Sequence, residues 1–345
     1  MKFTVLPKLN KGDQVAIISP SAGLPGLFPW VFELGLQRLR DEFELVPKEY
    51  PTTRQMNSSL KDRARDIMAA FSDPNNKAVF SSIGGADQAK LIKYLDSEIL
   101  KKNVKPFFGF SDNTHLCNFL WKNGIPSYYG GAIMTQFAMQ SEMQTLTKEF
   151  LKHALFTQGE VEIHASETCI HEGLDWGNKD NLNKRRKIEP NVGWYWYNPK
   201  NIEGRLWGGC VESLVEEMTI GKYLPSDIDL ENTVLFLETA EDIPDHWIVE
   251  YLLTGFGERG WFDKFNAVLI GRPKAWDFSK PFNRAEKDEY CELQRKTVEK
   301  TVREYSKSIP IVQNIDFGHT DPQIVLPMGS TVRIDADHKR IFFNY

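Results

Sequence analysis

The sequence is short of several things that would announce a function. It has four cysteines in 345 residues, Cys117, Cys169, Cys210 and Cys291, and no C-x-x-C pair. That argues against a disulfide framework or a cysteine zinc site and predicts reduced thiols in a cytoplasmic protein. No apolar run reaches the roughly 18 residues that a membrane span needs, so no spanning helix is expected. The stretch MKFTVLPKLNKGDQ has no continuous apolar core, and export by a signal peptide is not expected. Basic excess is missing too: 42 Lys and Arg against 47 Asp and Glu leave a net charge of −5. Neither nucleic acid nor an acidic membrane surface is therefore an expected partner.

What is present is the composition of a globular chain, 41% hydrophobic and 26% charged, long enough for two domains. The first half alternates apolar runs with amphipathic ones. DQVAIISPSAG reads as a buried strand and its loop, LFPWVFELGLQRLRDEF as a helix, and FELVPKEY as a strand again. SLKDRARDIMAAFSD places Leu60, Ala64, Ile67, Met68 and Phe71 on one helix face. AVFSSIGGADQAKLIKYLD and KPFFGFSDNTHLCNFLWKNG both read strand, turn, helix. Strands alternating with helices predict a parallel sheet, with ligands beyond the carboxyl ends of its strands. Gly84-Gly85, Ser111 and Gly130-Gly131 all fall at such ends.

Residues 166–204 break this grammar. They are polar and rich in Asn and Gly, yet carry Trp176, Trp194, Trp196, Tyr195 and Tyr197. A connection of that length is expected to be either disordered or functional. The expected organisation is thus an N-terminal α/β domain over 1–165, a loop over 166–204, and a C-terminal β/α domain over 205–345.

Ser111, in GFSDNTH, follows a short strand and precedes a helix. It suits a nucleophile on a sharp turn, with the Asp112 amide facing a developing oxyanion, but equally an ordinary helix N-cap. Asn113 stands where the G-x-S-x-G form has its second glycine, so the local sequence leaves both readings open. A serine nucleophile needs a base and an acid that orients it. Of seven histidines, His319 in DFGHTDPQ lies in a Gly/Asp/Pro turn after an apolar run, where loop residues often carry function. His115 reads as structural and His246 as serving the first turn of its helix. Glu238 ends the apolar VLFLE run, where a carboxylate is costly unless paired. Glu241 and Asp242 read as exposed acids at a helix start. Gly85 can offer a second oxyanion amide or merely make a turn; GGADQ has neither a Walker lysine nor GxGxxG spacing. KRRK at 184–187 is either a solvated face or, beside the tryptophans, a contact for an anionic aromatic group.

Taken together, GDQVAIISPSAG, KPFFGFSDNTHL, GRLWGGCVESL, VLFLETAED and FGHTDPQIVLPMGSTVRID resemble the LD-carboxypeptidase family of serine peptidases, above all its microcin C self-immunity branch. The resemblance runs nearly end to end. It implies Ser111 as nucleophile, His319 as base and then acid, Glu238 as orienting partner, and the Gly85 and Asp112 amides as oxyanion donors. It implies a flavodoxin-like parallel-sheet domain, a smaller mixed β/α domain, a cleft between them, a homodimer, and no metal or cofactor. SIGGAD, in place of the Arg-Gly-Gly-Tyr-Gly of murein-recycling members, directs the resemblance to enzymes that cleave a peptidyl- or aminoacyl-nucleotide amide. There an aromatic residue stacks on the base, for which Trp176 and Trp194 are the candidates. A murein tetrapeptide ending in D-Ala is the alternative substrate, and an α/β-hydrolase esterase the alternative enzyme.

Overall fold

The computed structural model describes residues 1–345 and resolves into two main sheets. The first is built from β1 (Gln14–Ile18), β2 (Val46–Glu49), β3 (Asn76–Ser81), β4 (Phe107–Gly109) and β5 (Ser127–Tyr129). Their spatial order is β2-β1-β3-β4-β5, all parallel, which is the flavodoxin-like arrangement. Helices α1 (Pro29–Asp41), α2 (Leu60–Ser72), α3 (Ser97–Lys102), α4 (Thr114–Lys122) and α5 (Thr145–Phe156) fill the connections. Local chemistry sets their ends. Pro29 opens α1, where its missing N–H costs nothing, and the Ser59 hydroxyl caps α2 by accepting from the Asp62 amide at 3.1 Å.

Next come β6 (Glu160–Ile163), β7 (Thr168–Cys169), β8 (Glu189–Pro190), β9 (Tyr195–Tyr197), β10 (Ile202–Cys210), β11 (Thr233–Glu238), β12 (Phe265–Gly271), β13 (Ile311–Ile315), β14 (Leu326–Met328), β15 (Thr331–Asp335) and β16 (Arg340–Asn344). The second sheet has the order β6-β16-β15-β10-β11-β12-β13-β9. Its centre, β10 to β13, is parallel, and its flanks are antiparallel. Helices α6 (Val211–Ile220), α7 (His246–Glu258) and α8 (Arg284–Tyr305) pack on it. Asn283 and Glu286 start α8 with a reciprocal capping box.

The two halves are stitched together. β14 leaves the C-terminal segment to pair antiparallel with β5 in the first sheet, while β6 pairs with β16 in the second. The Trp121 indole N–H on α4 donates to the Leu206 carbonyl on β10 at 3.0 Å. One hydrophobic cluster of 82 buried residues runs through both sheets, so the rims of the two are held in a fixed relation. The segment after Gly84-Gly85 departs from expectation: two short 3₁₀ turns, Gln88–Lys90 and Ile92–Tyr94, stand where the sequence suggested one helix. The Asp112 carboxylate accepts from the amides of Asp87 and Gln88 at 3.2 and 3.1 Å, fixing that segment to the turn at Ser111. Residues 166–204 place β7 against β8, and β9 on the edge of the second sheet.

Candidate active site

Ser111 sits two residues beyond the end of β4 with φ of 63°, in the left-handed region that non-glycine residues avoid. It does not cap α4: the residue before that helix is Asn113, and no side-chain cap bond is made there. The N-cap alternative is thereby removed. A strained serine on a strand-to-helix turn is the geometry that projects a hydroxyl from the sheet. A Cβ built on Gly84 would stand 3.1 Å from Ser111 Oγ and 3.5 Å from the Asp112 amide nitrogen, so the Gly-Gly turn presses against this serine. Gly85 lies one residue further, beside Ser21 and Ala22 in the loop after β1.

The second sheet contributes from the other side. Glu238 is the last residue of β11, 1% exposed, and its Oε2 lies 2.6 Å from His319 Nδ1. The approach requires glycine at 318, with φ of 96°, because a Cβ there would fall 2.7 Å from Glu238 Oε2. Glu238 Oε1 accepts from the Tyr129 hydroxyl at 2.6 Å, and the same hydroxyl accepts from the Ser111 amide at 3.2 Å. Burial opposes charge on His319, but Glu238 and then Glu241 outweigh it and raise the imidazole well above its ordinary value. Burial and the adjacent Glu238 push the Tyr129 phenol well up, so it stays a donor.

Ser111, Gly84, Gly85 and His319 line one cavity of about 450 Å³ between the two sheets. Its aromatic walls are Phe28, Phe110, Trp176, Trp276 and Phe278. Trp176 meets Phe28 edge to face at 5.8 Å, and Trp276 meets Phe278 at 4.8 Å. Arg186 reaches the cavity paired to Asp321 at 2.6 Å, whereas Lys274 lines it without an ion pair. Burial lowers the Lys274 ammonium from its usual value. A larger cavity of about 560 Å³ lies on the far side of Glu238, against α8. Its two cysteines are poor nucleophiles, since burial pushes Cys291 up to about 12 and raises Cys169 as well. The smaller cavity is therefore where nucleophilic chemistry is possible.

Several sequence expectations need adjustment. Trp194 does not reach the cavity; it is held elsewhere because its indole N–H donates to Asp316 Oδ2 at 3.0 Å. Glu241 is not a helix-start acid, since α7 begins at His246, and it lies 3.0 Å from His319 Nε2. Of KRRK, Arg186 points inward while Arg185 pairs with Glu142 on the surface. His115 is structural, with Nδ1 at 3.1 Å from Glu217 on α6. Tyr129, Lys274, Trp276 and Phe278 were missed. The strand-end positions of Tyr129 before Gly-Gly and of Lys274 shortly after β12 were the only signals for two of them. No helix is long and apolar enough to cross a membrane.

A profile described as the LD-carboxypeptidase N-terminal domain matches residues 15–130, and one described as its C-terminal domain matches 203–334. YocD of Bacillus subtilis (strain 168) is 31% identical over 95% of each chain. The microcin C7 self-immunity protein MccF of Escherichia coli is 25% identical over 96% of this chain and 93% of its own. A crystal structure of an MccF-like protein from Streptococcus pneumoniae, in complex with AMP, superposes with a TM-score of 0.84 at 27% identity. That likeness covers 97% of this chain and 99% of that one. With both domain profiles matched in order across most of its length, the chain belongs to the LD-carboxypeptidase family.

Proposed function

We propose that this protein is a serine hydrolase of carboxypeptidase type that cleaves the amide of an aminoacyl- or peptidyl-nucleotide, with Ser111, His319 and Glu238 as its triad. The observation that carries the reading is the 2.6 Å contact of Glu238 with His319 Nδ1, at a cavity that Ser111 also lines. Ser111 Oγ attacks the amide carbonyl and its proton passes to His319 Nε2. The amides of Gly85 and Asp112 hold the oxyanion, worth about 3–4 kcal/mol per donor in related chemistry. Collapse breaks the C–N bond, and His319 returns the proton to the leaving nitrogen. Water, deprotonated by His319, then releases the acyl group from Ser111. Glu238 orients the imidazole and balances its charge. Asp112 serves through its amide, since its carboxylate already accepts two backbone N–H bonds.

For the nucleotide half, the support is the aromatic wall of the cavity and the unpaired Lys274, which suit a planar base and an anionic linkage. The AMP complex of the pneumococcal relative supports the same substrate class. Trp176 is the residue proposed to stack on the base. The test is hydrolysis of an aminoacyl-sulfamoyl-adenosine beside a murein L,D-tetrapeptide, with Ser111→Ala as control. The proposal expects turnover of the nucleotide compound and none by the variant. Cleavage of the murein peptide alone overturns the substrate, and equal rates with Ser111→Ala overturn the triad.

A further inference from the structure

His319 has a carboxylate at each ring nitrogen: Glu238 Oε2 at 2.6 Å from Nδ1, and Glu241 Oε2 at 3.0 Å from Nε2. The first contact orients a base. The second occupies the nitrogen that has to take the proton of Ser111. A ring with both nitrogens facing carboxylates carries hydrogen on both, so it is an imidazolium with no lone pair to offer. While Glu241 stays in place, His319 cannot act on Ser111.

The two carboxylates are held very differently. Glu238 is fully buried at the end of β11 and tied by its other oxygen to Tyr129. Glu241 lies on the segment between β11 and α7, its side chain is 59% exposed, and its only ion pair is the one to His319. The Glu241 side chain reaches solvent, so unlike Glu238 it has room to swing away from His319. Of the other charged groups nearby, Glu212 on α6 accepts from the Ala240 amide, and the Lys274 ammonium favours the ionised form of Glu241 without an ion pair to it.

We propose that Glu241 receives the protonated amine of the substrate's acyl half, and that this ammonium is what frees His319 to act. The proposal rests on the function proposed above and narrows it to aminoacyl compounds with a free α-amine. An α-amino nitrogen is only about 2.5 Å from the carbonyl carbon under attack. Bound for attack by Ser111, it therefore lies near His319 Nε2 and within reach of Glu241. The ammonium takes the carboxylate, the imidazolium loses one counter-charge and gives its Nε2 proton to water, and Ser111 Oγ–H takes the vacated acceptor. An N-acylated substrate has no charge to offer and leaves the pair closed. Partial desolvation at the cavity wall opposes charge on Glu241, but the imidazolium more than compensates and holds the carboxylate below its usual range, consistent with a closed pair before substrate arrives.

The experiment compares a free-amine aminoacyl-sulfamoyl-adenosine with its N-acetyl counterpart in the wild type and in Glu241→Gln. The wild type is expected to favour the free amine by at least about tenfold in kcat/KM, and Glu241→Gln to reduce that preference to near unity by losing rate on one and gaining it on the other. In parallel, the His319 imidazole is titrated by NMR in the Ser111→Ala background. Its titration should move to lower pH on adding the free-amine compound or on Glu241→Gln, and not on adding the acetylated one. A preference that survives Glu241→Gln, or a His319 titration unmoved by that change, overturns the inference. Failure of the wild type to hydrolyse either compound counts against the proposed function instead, and the titration still decides whether Glu241 governs His319.

Discussion

Tyr129, at the end of the first sheet, donates to Glu238, at the end of the second, at 2.6 Å. The same hydroxyl accepts from the Ser111 amide, so one phenol fixes both the nucleophile's backbone and the acid that orients the base. Tyr129→Phe keeps the ring's packing but leaves a buried carboxylate oxygen and the Ser111 amide without a partner. A hydrogen bond to a charged group is worth about 1.5–3 kcal/mol. We expect kcat/KM to fall roughly 10- to 100-fold, with a loss of stability of similar size in chemical denaturation. Unchanged kinetics in the variant would remove Tyr129 from the site.

Strain at Ser111 has its own signature. Its φ of 63° is unfavourable for serine and easy for glycine, and its hydroxyl makes no hydrogen bond within the protein. Ser111→Gly should therefore abolish hydrolysis while raising stability by about 1 kcal/mol. Ser111→Ala, which keeps the Cβ, should abolish hydrolysis without that gain. Equal melting temperatures for the two variants would mean that the turn stores no strain.

Much of this arrangement was legible in the sequence, for reasons the structure makes plain. The parallel sheet followed from alternating apolar and amphipathic runs, since burial on both faces leaves that pattern, whereas its flavodoxin-like order came only from the family resemblance. Ser111, Glu238 and His319 stood out because each is a polar residue next to an apolar strand. What the sequence hid depends on which way a side chain points. Trp194 and Trp176 lie in one polar loop, yet only Trp176 reaches the cavity; Asp316, far off in sequence, draws Trp194 elsewhere. Glu241 reads as an exposed acid and is one; its contact with His319 depends on how the chain turns after β11. The helix expected after Gly-Gly was lost to Asp112, whose carboxylate takes the amides at Asp87 and Gln88.

The elevated His319 predicts a displaced pH profile. A general base works only when neutral, and Glu238 and Glu241 favour its charged form. The acid limb of kcat/KM, which reports the free enzyme, should lie above the ordinary histidine value of about 6.5. Removing the negative charge at Glu241 should move the limb to lower pH. A limb at or below about 6.5 in the wild type would show that the two carboxylates do not hold the proton.

Lys274 lines the cavity without an ion pair, and a cation so placed should contribute chiefly to binding an anionic ligand. Lys274→Met keeps the length of the aliphatic stem and removes the charge. We expect AMP to bind roughly 10-fold or more weakly in calorimetry, with adenosine affected little. An equal loss for both would assign Lys274 to packing rather than to the anion.

His171, in contrast to His319, should make the fold sensitive to acid. It is 6% exposed, its Nδ1 accepts from the Ala275 amide at 3.2 Å, and burial, helped by Arg272, Lys287, Lys274 and Arg284, pushes it down to about 3. The unfolded chain takes up a proton here at about 6.5, whereas the folded chain stays neutral to about 3. The unfolded state therefore binds more protons across that window, and stability falls with falling pH by up to roughly 1.4 kcal/mol per unit. His171→Asn retains an acceptor for the Ala275 amide but cannot be protonated. It should cost stability near neutral pH through imperfect packing, yet lose less than the wild type between pH 6.5 and 4. Parallel stability-versus-pH curves for the two proteins would show that His171 is protonated in the fold and that its burial does not set the acid limit.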